Sequence, residues 1–219
     1  MTYTLYQGDC LDVLPTLAAQ SVDAVITDPP YGLNKAAWDD IFPVAWIQYA
    51  WKLTPRMLVM TGSSVIQEAA NALGNYQDCV VLYSRNGMTK SKIAFGNYFP
   101  VLACGDWDWQ ARPNVLAYNV SLDEAIDHPS PKPLAAMRLL IKHYTKPGQT
   151  VLDPFMGSGS TGVAAIMEGR NFIGIELDAR YYRIAERRIA NAQPPLFVAD
   201  APAVSEPEQA AMFSQEAHP

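Results

Sequence analysis

The sequence predicts a doubly wound α/β domain built on a mainly parallel sheet, and three observations carry that expectation. The second half alternates short apolar runs with segments of helical period, the pattern of strand, helix, strand, helix. A glycine-rich turn, Asp153-Pro154-Phe155-Met156-Gly157-Ser158-Gly159-Ser160-Thr161-Gly162, joins one such strand to the next helix. Near the start, the apolar run from Val22 empties into Asp28-Pro29-Pro30-Tyr31, so these four residues emerge at a strand's carboxyl end, where open α/β sheets hold their ligands.

In chain order, Tyr3 to Gln7 reads as a short strand closed by Gly8-Asp9, followed by a helix from Cys10 to Ala19. Val22 to Thr27 is the next strand. Phe42 to Leu53 has apolar residues at helical spacing, Arg56 to Thr61 reads as a strand, and Ser63 or Ser64 caps a helix running to Leu73. Asp78 to Ser84 and Tyr98 to Cys104 are runs of strand length around a polar loop, as expected of an antiparallel hairpin on one edge of the sheet. Pro133 to Tyr144 carries Leu134, Met137, Leu140, Ile141 and Tyr144 on one face, the stripe of an amphipathic helix. Then come a strand (Thr150 to Asp153), the glycine turn, a helix (Thr161 to Glu168), a strand (Asn171 to Ile175) and a helix capped by Asp178.

With 219 residues and 49% hydrophobic content the chain can bury one sizeable core, and we expect a single domain over residues 1–193. Residues 194–219, rich in alanine, proline and acids, are expected to form a mobile tail. No apolar run approaches a membrane span and no basic-then-apolar leader opens the chain, which predicts a cytoplasmic protein. Cys10, Cys79 and Cys104 show no metal spacing, and no metal is expected. The net charge of −6 argues against a polyanionic partner, but four acids and no base lie beyond Pro195; the body has 16 basic residues against 18 acids and can still present a basic face.

Taken singly, neither string is decisive. Asp-Pro-Pro-Tyr also composes a stiff turn, since two prolines fix φ and remove two donors, and glycine turns serve many nucleotides. Together, and in this order, they give the chain a resemblance to the amino-group DNA methyltransferases of the β arrangement, the N6-adenine and N4-cytosine enzymes, in which the catalytic motif precedes the cofactor motif. The resemblance begins at Gly8-Asp9, takes in Ser21 to Gly32, resumes at His128-Pro129-Ser130-Pro131-Lys132-Pro133, and runs through Val151 to Gly162, Gly169-Arg170, Ile173 to Glu176 and Tyr181 to Arg188. The stretch from Leu33 to Asp127 matches loosely.

The resemblance implies a Rossmann-like fold of the class I S-adenosylmethionine-dependent methyltransferases, and S-adenosylmethionine as cofactor. Glu176, just past a strand, is of the type that accepts hydrogen bonds from ribose hydroxyls. Gly157 and Gly159 let the backbone approach the cofactor, while Ser158, Ser160 and Thr161 lie where the next helix offers free N–H groups to a carboxylate. Asp153 and Phe155 flank that end of the pocket; by resemblance Asp9 approaches the adenine, and Lys132 with Ser130 lies near the amino-acid end. The Asp28 carboxylate and the Pro29 carbonyl would accept N–H groups from an exocyclic amine whose lone pair is delocalised into its ring, and Asp28 also favours the positive charge that develops there. The target base must be flipped out, with Tyr31 supplying a stacking face and Pro30 narrowing the slot.

Asp at the head of the tetrapeptide points to adenine N6, with cytosine N4 as the alternative; an RNA methyltransferase and a catalytically silent cofactor- and DNA-binding module are the other readings. For contact with double-stranded DNA the candidates are Lys35 and Trp38, after the catalytic turn, and Arg85, Lys90 and Lys92 in the polar loop. The gap Gly105 to Asp127, where the resembling enzymes usually carry target recognition, is 23 residues long with one basic residue against five acids, so a short or degenerate DNA word is expected. A homodimer and a separate restriction endonuclease are the protein partners the resemblance implies, in a prokaryotic cell or a phage-infected host.

Overall fold

The computed structural model describes residues 1–31, 43–74, 76–86, 89–90, 95–107, 113–120 and 131–193, with backbone alone at 89–90 and 95–96. The strands are β1 (Tyr3–Gln7), β2 (Ala24–Thr27), β3 (Arg56–Met60), β4 (Tyr76–Ser84), β5 (Thr89–Lys90), β6 (Phe95–Gly96), β7 (Tyr98–Gly105), β8 (Val115–Tyr118), β9 (Thr150–Asp153) and β10 (Asn171–Glu176). The α-helices are α1 (Cys10–Val13), α2 (Ile47–Leu53), α3 (Ile66–Leu73), α4 (Leu134–Tyr144), α5 (Ser160–Met167) and α6 (Ala179–Ala190). No helix among the described residues is long and apolar enough to cross a membrane.

Eight strands form one sheet in the order β1-β10-β9-β2-β3-β7-β4-β8, and β5 pairs with β6 in a separate ribbon. Within the large sheet only β7 runs antiparallel to its neighbours. Alternation along the strands divides the core in two. Ala24, Ile26, Leu58 and Met60 pack with α4, α5 and α6 on one face; Val25, Met57, Val59 and Leu152 pack with Trp46, Ile47, Ala69 and Leu73 on the other. The central strands are buried on both faces, which is why β2 and β3 read as unbroken apolar runs rather than alternating ones.

The chain leaves β2 toward β3 on one side, and β9 toward β10 on the other. Between β2 and β9 the winding reverses, and it is at such a reversal, outside the carboxyl ends of the strands, that an open α/β sheet forms its ligand crevice.

Several expectations are corrected. The helix expected over Cys10 to Ala19 stops at Val13 and tightens into a 3₁₀ turn, Leu14–Thr16, because Pro15 has no N–H to give and its ring would meet the preceding turn. The helix expected from Phe42 begins at Ile47, after a turn in which Trp46 Nε1 donates to the Pro43 carbonyl at 3.1 Å. Neither Ser63 nor Ser64 caps α3: they belong to a turn closed by Val65 N–H on the Gly62 carbonyl, and the helix begins at Ile66. The β4–β7 hairpin is not the rim of the sheet, since β8 adds outside β4 in parallel register from Val81 opposite Val115. The 194–219 segment lies outside the described residues.

Candidate functional site

Four neighbouring parallel strands, β1, β10, β9 and β2, each deliver an acid to the same edge: Asp9 two residues past β1, Glu176 ending β10, Asp153 ending β9, and Asp28 following β2. Adjacency of β1 and β10 is continued past the strands by Gly8 N–H on the Glu176 carbonyl at 2.9 Å. Asp9 is exposed and caps α1, its carboxylate accepting Leu11 N–H at 2.8 Å.

Asp153 is buried at 2% exposure, and both its oxygens are engaged. Thr27 Oγ1 donates to Oδ1 at 2.7 Å, Phe155 N–H donates to Oδ1 at 3.0 Å, and Thr161 Oγ1 donates to Oδ2 at 2.6 Å. The side chain therefore ties β2, β9 and the first turn of α5 into one knot at the crevice. Burial pushes its carboxyl up to about 6; the three hydrogen bonds pull the other way, and the nearby Asp28 charge adds to the rise.

The glycine turn is held from behind. Gly157 and Gly159 have φ of +52° and +83°, and a Cβ on Gly159 would stand 2.9 Å from Ala185 Cβ of α6. Arg188 of α6 donates to the Ser158 carbonyl at 2.6 Å and reaches the Ser158 and Ser160 hydroxyls at 3.3 and 3.4 Å. The Thr161 hydroxyl thus serves the scaffold, while the Ser158 and Ser160 hydroxyls accept from Arg188 and keep their own O–H to offer beside the backbone of the turn. Gly159 caps α5 with no side chain to accept the helix's first N–H groups, which suits a carboxylate.

Glu176 accepts Gly157 N–H on Oε2 and Asp178 N–H on Oε1, both at 2.8 Å, and burial raises its pKa. A carboxylate has about four acceptor positions, so acceptor capacity remains for a ribose hydroxyl. Phe155, half-buried, meets the ring of buried Trp46 edge-on at 5.5 Å between centroids. A glycine turn with free helix N–H groups, a fixed carboxylate on the next strand and an aromatic beside them form a donor set that fits S-adenosylmethionine.

Across the crevice, Asp28 is 21% exposed and pairs with the Lys132 ammonium, and Tyr31 Oη also donates to Asp28. Lys132 is 9% exposed, and its Nζ lies 5.5 Å from the Tyr31 ring centroid and 5.4 Å from that of Phe99. Lys132 comes from the proline-flanked loop before α4, while Phe99 stands at the start of β7, whose antiparallel course brings its first residues to this same edge. Pro29 and Pro30 carry the chain between Asp28 and Tyr31. Lys132, expected near the amino-acid end of the cofactor, contacts the Asp-Pro-Pro-Tyr turn. Phe99 was not singled out in the sequence because one aromatic in an apolar run carries no signal.

Arg85 is exposed just past β4, with its N–H on the Tyr118 carbonyl at 2.9 Å, and the Lys90 backbone belongs to the β5–β6 ribbon. Lys35, Trp38, Lys92 and Ser130 lie outside the described residues.

Comparison with known proteins agrees with this geometry. Residues 85–187 match the family described as DNA methylase, N6_N4_Mtase. YubD of Escherichia coli K12, a protein named as a methylase, is 32% identical over 209 residues, covering 85% of this chain and 90% of its own. The DNA adenine methyltransferase YhdJ of the same organism is 28% identical, covering 85% of this chain and 82% of its own. Among solved structures, M1.HpyAVI in complex with S-adenosylmethionine superposes with a TM-score of 0.69 at 28% identity, over 85% of this chain and all of that one. The chain belongs to the N6/N4 DNA methylase family, S-adenosylmethionine-dependent enzymes with the Rossmann-like methyltransferase fold.

Proposed function

We propose that the protein transfers a methyl group from S-adenosylmethionine to the exocyclic N6 of an adenine flipped out of double-stranded DNA, with Asp28 as the group that receives the acceptor amine. The observation that carries this reading is the position of Asp28: it follows β2, at the reversal of winding, beside the strand that ends in Asp153 and the glycine turn. The name of YhdJ and the Asp at the head of the tetrapeptide support adenine over cytosine.

On this reading the α5 N–H groups hold the cofactor's carboxylate, Glu176 its ribose hydroxyls, and Asp9 approaches its adenine. When bound, the cofactor supplies a methyl group on a positively charged sulfur. Asp28 and the Pro29 carbonyl each accept an N–H of the acceptor amine, turning its lone pair out of conjugation and toward the methyl carbon. As the nitrogen–carbon bond forms, the carbon–sulfur bond breaks with its electron pair on sulfur. Asp28 stabilises the positive nitrogen, whose proton then leaves to solvent. Tyr31 gives the flipped base a stacking face of about 1–3 kcal/mol, comparable to the cost of unstacking it. Arg85, with Lys35, Trp38, Lys90 and Lys92, is assigned to the DNA. Its protein partners are a second copy of the chain and, where modification guards against restriction, a separate endonuclease.

Labelled-methyl transfer to DNA and RNA tests the reading. The wild-type chain should label DNA, and modified-base sequencing should find N6-methyladenine. Asp28→Ala should reduce transfer at least a thousandfold while S-adenosylmethionine binding persists. Near-wild-type transfer by Asp28→Ala removes Asp28 from the mechanism, and N4-methylcytosine in the product replaces the adenine assignment.

A further inference from the structure

The Lys132 ammonium occupies a small cation receptor. Its partners are the Asp28 carboxylate and the rings of Tyr31 and Phe99, and it is nine-tenths withdrawn from water. Nothing in a carboxylate flanked by aromatic faces is particular to an ammonium: the same groups attract any compact cation, a methylsulfonium included. Pro131 and Pro133 stiffen the backbone on either side of Lys132, so what can leave the receptor is the flexible four-carbon side chain.

We propose that Lys132 is the residue through which this site tells the cationic methyl donor from the neutral thioether that remains after transfer. This rests on the assignment of Asp28 to the acceptor amine. An amine hydrogen-bonded to Asp28 must lie about 3–3.5 Å from the methyl carbon it attacks, which with a carbon–sulfur bond of about 1.8 Å puts the sulfonium about 5 Å from that nitrogen and within Coulomb range of the same carboxylate. Two unit cations then share one carboxylate in a partly desolvated crevice, and their mutual repulsion weakens binding of the donor on the order of tenfold relative to a neutral ligand of the same shape. With a donor bound, Lys132 would withdraw from Asp28, and the carboxylate and the face of Tyr31 would be left to a base. Once the methyl has gone, the thioether exerts no such repulsion and Lys132 returns to Asp28. Lys132 is in this sense a positioning residue: it couples the opening of the acceptor slot to the charge of the cofactor.

Calorimetry of the full chain without DNA, using S-adenosylmethionine and S-adenosylhomocysteine, reads the coupling directly. Lys132→Met should improve affinity for the donor relative to the thioether about tenfold, whereas Lys132→Arg, which keeps the charge, should retain the wild-type ratio. A residue that merely supports the fold would weaken both ligands together. Lys132→Gln, neutral but still polar, should move the ratio as Lys132→Met does, and it carries the test if Lys132→Met does not fold. A ratio unmoved in either neutral variant that folds overturns the proposal. Failure of the Asp28 assignment shows separately, as methyl transfer surviving in Asp28→Ala.

Discussion

Replacing Asp153 should separate the role of its charge from the role of its hydrogen bonds. Asp153→Ala leaves Thr27 Oγ1, Thr161 Oγ1 and Phe155 N–H without their acceptor, in a place where both threonines are buried. Three orphaned donors at about 1–3 kcal/mol each make a loss of several kcal/mol. Against that stands the carboxylate's own burial: a pKa raised from 3.8 to about 6 means that the charged form costs the fold about 3 kcal/mol at neutral pH, which either substitution returns. Asp153→Ala should therefore lose between about 0 and 6 kcal/mol at pH 7, about 3 less than the orphaned donors alone would cost. Asp153→Asn keeps an acceptor for Thr27 and Phe155 and presents an NH₂ to the Thr161 oxygen, so it should be at least as stable as the wild type there.

The sign of the pH dependence follows from linkage. A carboxyl whose folded pKa exceeds its unfolded value binds a proton more tightly in the native state. Its stabilising contribution is complete below about 3.8 and is lost as pH rises through about 6. Urea unfolding of wild type and Asp153→Asn at pH 4, 5, 6 and 7, read as the difference between the two so that other titrations cancel, should show the wild type falling behind by about 3 kcal/mol across that window. A flat difference would refute the buried charge. A wild type that gains on the Asn variant as pH rises would show that the hydrogen bonds outweigh burial.

Glu176→Ala should weaken S-adenosylmethionine binding by about 1–3 kcal/mol in calorimetry, and Glu176→Gln should do no better, because its NH₂ must face the N–H of Gly157 or Asp178. Since burial raises the Glu176 pKa, donor affinity should begin to fall on acidification at a higher pH than for an exposed glutamate. Gly159→Ala pays about 1–2 kcal/mol for an alanine at φ +83° and also drives a Cβ against Ala185, whereas Gly148→Ala, at the same φ with nothing nearby, pays the backbone cost alone. Thermal melts should place Gly159→Ala below Gly148→Ala by at least the 2–4 °C that one kcal/mol moves a chain of this size; equal melts would show that α6 yields.

What could be read in the sequence was what neighbouring residues decide. β1, β9 and the Asp178 cap stand where their strand-length runs and turn residues put them, because both signals lie within a few neighbouring residues. The strand β8 did not, since the four residues Val115–Tyr118 carry too little pattern by themselves. Contacts made across the sheet were also hidden. Lys132 on Asp28, Phe99 on Lys132 and Arg188 on Ser158 depend on which strands become neighbours, and no spacing along the chain encodes that.

The four acids at the carboxyl edge differ in what holds them, and that difference assigns their work better than proximity does. Asp9 accepts a backbone N–H of its own turn, and Glu176 accepts those of Asp178 and of Gly157 in the glycine turn, so both carboxylates are fixed in direction by backbone donors and keep acceptor capacity. Asp153 is closed in on itself by two threonine hydroxyls and one N–H, and it can contribute only charge and rigidity. Asp28 is different: the partners described for it, Lys132 and Tyr31, are both side chains. A side-chain partner can be exchanged for a substrate at the cost of a rotamer change, whereas a backbone partner can be exchanged only by unmaking a turn. A group that must pass from a resting contact to a transient base and back within each turnover has to be of the first kind. Among these acids, Asp28 alone meets that requirement.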